Sequence, residues 1–229
     1  MAVPPDSNPA ARTKPAKCPI VCCPTTLSEP ALLQHLLSDH SDINSETLRE
    51  GKHCKLLVQE EAFPRGQPIC LKILLYGGEK HCLRPARSGL SPRQNLMLHS
   101  EHSCYKDHLA VLLMGCKTNR MDMIAEGDVS STVDRKISQL RERAENDSDP
   151  EKDIFVLWLI GTETTWPIYG DLTVRSSGGT FSLGDRVQVK DFTSFTQPKL
   201  LLSEGVDYIL IIRGAMNLLT DGDLRGDPG

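Results

Sequence analysis

Apolar residues along this chain gather into short runs of strand length, separated by turn-forming residues. "KLLVQEEAF" (55–63) is followed by a "PRG" turn. "PICLKILLYGG" (68–78) alternates and ends on two glycines. "HLAVLLMGCKT" (108–118) and "DIFVLWLIGTE" (153–163) are apolar runs, the second rich in β-branched and aromatic residues. "DLTVRSSGGTFSLGDRVQVK" (171–190) predicts a hairpin around Gly178 and Gly179, and "DYILIIRGAM" (207–216) a last strand. About six to eight strands with turns between them predict a mainly β protein, an antiparallel β-sandwich over residues 53–216.

Two segments carry a helical period instead. In "DVSSTVDRKISQLRERAENDSDPEK" (128–152), Val129, Val133, Ile137, Leu140 and Ala144 recur at helical spacing among charges. This predicts a short amphipathic helix, or else a solvated charged loop, on an insertion at about 121–152. The second is "SEPALLQHLLSDH" (28–40). Ser28 suits the N-cap, and Pro30 falls in the first turn, where a missing N–H costs little. The polar ends, residues 1–16 and 220–229, are expected to be disordered.

What precedes and includes that helix carries the chemistry. "CPIVCCPTTLSEPALLQHLLSDH" (18–40) places three cysteines before it and two histidines upon it. Zinc asks for four soft or borderline ligands at the corners of a tetrahedron, and a Cys turn followed by a His-bearing helix supplies them. Eleven residues separate Cys23 from His35, and four separate His35 from His40. Four separate Cys18 from Cys23, or three separate it from Cys22, and both suit a CCHH finger. The expected ligands are Cys18, Cys23, His35 and His40, with Cys22 the alternative second thiol. His35 and His40 would come near one face if the last turn tightens to 3₁₀ geometry. Leu32, Leu33 and Leu36 would pack beneath the metal. A finger over 17–42 buries too little apolar surface to fold alone, so the metal would supply its fold. Scattered thiols and surface imidazoles are the plainer reading; the agreement of ligand type, spacing and helix signals outweighs it.

A DNA-reading finger presents side chains before and along its helix. Here those places fall near Ser28, Ala31 and Gln34, none of them basic, and Glu29 and Asp39 add negative charge. The net charge of −4 gives no pull on nucleic acid or anionic membrane. The first residues are polar and Pro-rich rather than a signal peptide, and no apolar stretch approaches the roughly 18 residues of a membrane span. An intracellular protein, cytoplasmic or nuclear, is expected. Its eight cysteines would then be thiols or metal ligands rather than disulfides.

A CCHH finger joined to a β-sandwich resembles the C-terminal part of the seven-in-absentia (Siah) ubiquitin ligases, where a zinc finger runs into a TRAF-like substrate-binding domain. Cys23, His35 and His40 carry the resemblance through their gaps, and Cys18 followed by Pro19 is similar, with a shorter gap to the second Cys. "HLAVLLMGCKTNR" resembles the family's strand ending in a Gly turn. "IFVLWLIGTETTW" resembles its next strand, with Leu159, Gly161 and Trp166 as the matching points. The layout is also similar to an uncharacterised, mainly insect family. The resemblance spans about residues 18–216, and only its finger is specific.

Two departures matter. Only 17 residues precede Cys18, too few for an N-terminal RING with its eight ligands, and the insertion has no counterpart. The resemblance implies a zinc-stabilised protein-interaction module that binds partner or substrate peptides, possessing no ligase activity of its own and serving as an adaptor in the ubiquitin pathway. Such domains take extended peptides by adding a strand to a sheet edge. The same edge could pair with a second copy as a homodimer. The alternative function is a zinc-finger regulator contacting nucleic acid.

Other constellations are weaker. His99, His102, Cys104 and His108 are irregularly spaced and read as a solvent-facing loop before a strand. His53–Cys54 and His81–Cys82 could meet across a sheet. No catalytic motif, phosphate loop or activated thiol is marked, so no enzymatic role is assigned.

Overall fold

The computed structural model describes residues 15–78, 95, 97–119, 153–164, 167–176, 182–194, 208–212 and 215. The chain opens with a small hairpin of β1 (Ala16–Lys17) and β2 (Thr26–Leu27), followed by α1 (Glu29–Asp39). Then come β3 (Ser45–Leu48), β4 (Ile69–Tyr76), β5 (Leu109–Asn119), β6 (Asp153–Gly161), β7 (Tyr169–Arg175), β8 (Ser182–Asp191) and β9 (Ile209–Ile212). The protein is mainly β, with a Cys/His cluster ahead of a curled sheet. The insertion at 121–152, Trp166, His81–Cys82 and the 220–229 end lie outside the described residues. So do residues 1–14; of the expected disordered start, Ala16 opens β1.

β3 to β9 form one hydrogen-bonded sheet with a branch. Its path runs β3-β4-β5-β6-β8-β7. On β6, residues 154–157 pair with β9 and residues 159–161 pair with β8. β8 therefore gives only its last residues to β6, and its remaining length pairs with β7. A Cβ on Gly170 of β7 would lie 2.7 Å from Leu159 Cδ1 of β6. The β7–β8 hairpin thus swings over the face of β6, which curls the sheet towards a sandwich.

Two pairs are parallel, β3–β4 and β6–β8, where antiparallel pairing throughout was expected. Parallel neighbours need a long crossover. For β3–β4 it is the segment 49–68, and this explains why the expected strand at 55–63 takes no place in the sheet. That stretch instead ends in a 3₁₀ turn, Glu60–Ala62, and sends Val58 and Phe63 onto the sheet face. Phe63 meets Phe155 edge to face at 5.4 Å. Its ring fits because residue 115 is glycine: a Cβ there would stand 2.5 Å from Phe63 Cε1.

The central strands are buried on both faces, so the chain has two cores. One face gathers Leu109, Val111, Phe155, Leu159, Val187, Ile209 and Ile211 around Phe63. The other gathers Ile73, Leu75, Leu112, Met114, Cys116, Val156, Trp158 and Ile160. Into this second cluster α1 sends Leu32, Leu33 and Leu36, all but fully buried. The leucines expected beneath a metal thus also cover the sheet.

The end of the β5–β6 pair is held by charge. Asn119 and Asp153 are the last paired residues of β5 and β6. The buried Asp153 accepts from Arg65 and lies 3.2 Å from Lys117 Nζ, which also donates to Glu60 at 2.8 Å. β5 and β6 are therefore tied together by charge where their described residues end.

Candidate metal centre

The β1–β2 hairpin shapes the first half of the site. Cys18 N donates to Thr25 O at 2.8 Å, and Cys23 N donates to Ile20 O at 3.2 Å. Between them Cys22 holds a left-handed φ of 69° and is exposed. This turn separates the adjacent cysteines: Cys22 faces solvent while Cys23 faces inward, towards His35.

α1 supplies the second half. Pro30 occupies the first turn, as expected; Ser28 sits at the N-cap, but its side chain makes no capping bond. His35 is buried in the helix. The helix ends at Asp39, and His40 is its cap residue with φ −126° and ψ 37°. No 3₁₀ tightening of the last turn is needed, since the five-residue step is closed by a residue that has left the helix.

The structure brings Cys18, Cys23, His35 and His40 together, their ligand atoms all within 4.8 Å of one another. Cys18 Sγ lies 3.4 Å from His40 Nε2, and Cys23 Sγ lies 3.5 Å from His35 Nε2. The two Nε2 atoms are 3.1 Å apart. A tetrahedral ion with metal–sulfur bonds near 2.3 Å and metal–nitrogen bonds near 2.0 Å spaces its ligands by about 3.3–3.8 Å. These four side chains are positioned to bind a metal ion. Among the described residues they form the one such cluster.

Asp39 completes the arrangement. Its Oδ2 accepts from His35 Nδ1 at 2.7 Å, one helical turn away. With the proton on Nδ1, the Nε2 lone pair points at the ligand cluster, the usual outer-shell role of a carboxylate behind a metal-binding imidazole. In the sequence Asp39 registers only as negative charge; the His-to-Asp step of four on one helix face is the signal that marks it.

Protonation follows the surroundings. Burial pushes the Cys18 thiol up to about 12, with the neighbouring Cys23 adding to the rise. For Cys23, burial raises the pKa, but hydrogen bonds from Thr25 and Cys18 outweigh it and the net direction is down. Burial, then the neighbouring His35, lowers the His40 pKa. In the absence of an ion this is a thiol beside a more acidic thiol and a neutral imidazole. A bound cation would displace thiol protons, so acid would release it. Asp39→Ala is expected to weaken metal binding about 10–100-fold with the helix retained, measured by competition with a chromophoric chelator.

The knuckle is fastened to the sheet by polar contacts as well. Gln34 Oε1 accepts from His99 N at 2.7 Å, and Gln34 Nε2 lies 3.1 Å from His99 Nδ1. Glu29 Oε1 accepts from Glu163 N at 3.0 Å. His99, His102, Cys104 and His108 gather no metal cluster: residues 100–105 are a 3₁₀ turn with Cys104 exposed, and His108 is partly buried against Tyr105. Cys54 of the first "KHC" lies beside Lys72 and Glu46.

Fold and site together define a Cys/His knuckle, with four side chains positioned to bind a metal ion, seated on a curled β-sheet. The chain belongs to the family described as "Domain of unknown function (DUF4729)", which matches residues 17–222. That span starts just before Cys18 and runs past β9, so knuckle and sheet fall within one family unit. A search of the curated proteins finds no match. No helix among the described residues is long and apolar enough to cross a membrane.

Proposed function

We propose that the protein is a zinc-stabilised protein-interaction module that takes partner or substrate segments in extended form, as an adaptor in the ubiquitin pathway. The observation that carries this reading is a cluster of four side chains positioned to bind a metal ion, with leucines of the helix packed into the sheet's core. Two thiolates and two imidazoles suit zinc, and a full complement of protein ligands suits a structural ion, since a catalytic zinc keeps one position open. The metal then holds a lid on the sheet rather than performing chemistry. The sheet path ends at β3 and β7, and an end strand can template an added one. The pathway assignment rests on the resemblance to the Siah substrate-binding part.

The nucleic-acid alternative is disfavoured by Gln34. It occupies a place where a DNA finger would read a base, yet it is buried and bonded to His99. The chain should show no steeply salt-dependent binding to nucleic acid. A purified ubiquitination reaction containing this chain as sole ligase should be blank, because a RING needs eight ligands and the described residues offer four. Peptides selected from a display library should protect β3 or β7 from hydrogen exchange. Protection away from every strand edge, or salt-steep nucleic-acid binding, would refute the proposal.

A further inference from the structure

The crossover segment that the sequence marks as a strand behaves as one without a partner. Residues 54, 56 and 58 are half-buried, and residues 53, 55, 57 and 59 are exposed, the alternation of an extended strand lying on a surface. Among the described residues, no main-chain hydrogen bond engages 53–58, and Gln59 O accepts from Ala62 N at 3.1 Å, where the 3₁₀ turn begins. Leu57 stands out from it with 88% of its surface exposed. Unpaired N–H and C=O groups beside an outward leucine form an edge that can take another strand.

The charges along the segment indicate which strand fits. Lys52 and Lys55 lie at its start, and the exposed Glu61 lies just past its end. The segment is thus basic at one end and acidic at the other. An antiparallel second copy brings the basic end against the acidic end, whereas a parallel copy would set Lys55 beside Lys55. Residues directly opposite in an antiparallel pair share a face, so outward residues must meet outward residues. A two-fold axis through Leu57 satisfies this condition. Leu57 then meets Leu57 of the second copy, and Lys55 meets Gln59, beside the 3₁₀ turn that carries Glu61.

We propose that residues 54–59 form the two-fold edge of a homodimer, joined by antiparallel strand pairing about Leu57. This goes beyond the function proposed above and does not depend on the metal. The test is sedimentation equilibrium of the full chain across the micromolar range. The wild type should be a dimer that dissociates on dilution. Leu57→Lys should weaken it about tenfold or more, by setting like charges at the axis, with metal content and far-UV circular dichroism unchanged. Lys55→Glu should weaken it, and adding Glu61→Lys should restore it. A monomer at every concentration, or a dimer indifferent to Leu57→Lys, would overturn the proposal. So would a monomer whose residues 54–59 gain exchange protection only on adding a foreign peptide.

Discussion

His35→Ala is expected to abolish metal binding and to loosen the whole N-terminal knuckle. The hairpin holds Cys18 and Cys23 with a few main-chain bonds, and the helix holds His35 and His40. The ion is the only link proposed to join all four side chains. Structural zinc in isolated finger peptides is bound with about 10–16 kcal/mol. The loss here should be smaller, because Leu32, Leu33 and Leu36 keep α1 on the sheet. Circular dichroism should show a large fall in melting temperature for His35→Ala, and Cys23→Ser should match it. Cys22→Ser should behave as wild type, its residue being exposed and turned away. Lowering the pH should mimic the ligand substitutions. Metal affinity is full where Cys is thiolate and His neutral, and it is lost as both protonate.

Leu36→Ala should cost about 2–5 kcal/mol, as large a loss as a buried leucine usually brings. Leu36 is fully buried, in the same apolar cluster as residues of β4, β5 and β6. The cavity would open in the sheet's core and not in a separate finger. Denaturant unfolding followed by sheet circular dichroism and by metal release to a dye should therefore coincide, and the two midpoints should move together in the variant. Leu57→Ala, at an exposed position, should change the stability of the monomer by no more than about 0.5 kcal/mol. Separate transitions for metal release and sheet melting would show that knuckle and sheet are independent.

The candidate site was legible in the sequence because its residues are local: all four lie within 18–40, with His35 in the helix and His40 at its C-cap. The choice between Cys22 and Cys23 was not legible, since adjacent residues differ only in how the turn aims them, and the left-handed φ of Cys22 is a property of the folded hairpin. Long apolar runs identified β4, β5, β6 and β9 for the same local reason. Pairing is non-local and leaves no such local trace. Residues 55–63 carry a short apolar run, Leu56 to Val58, of the kind a strand has, but such a run does not say whether a neighbour exists. "SETL", which forms β3, is short and polar and gave no signal, although it runs parallel to β4. Leu32, Leu33 and Leu36 were read as a layer beneath a metal; that the same leucines cap a sheet some 40 to 130 residues away in sequence follows only from the three-dimensional fold.

Metal analysis of purified protein tests the central claim most directly. Native mass spectrometry of the wild type, Cys22→Ser and Cys23→Ser chains, supported by elemental analysis, should show about one zinc per wild-type chain. The zinc should persist in Cys22→Ser and disappear in Cys23→Ser and His35→Ala. A wild-type protein that is fully folded, monodisperse and free of metal, and that takes up no zinc when it is offered, would contradict the account.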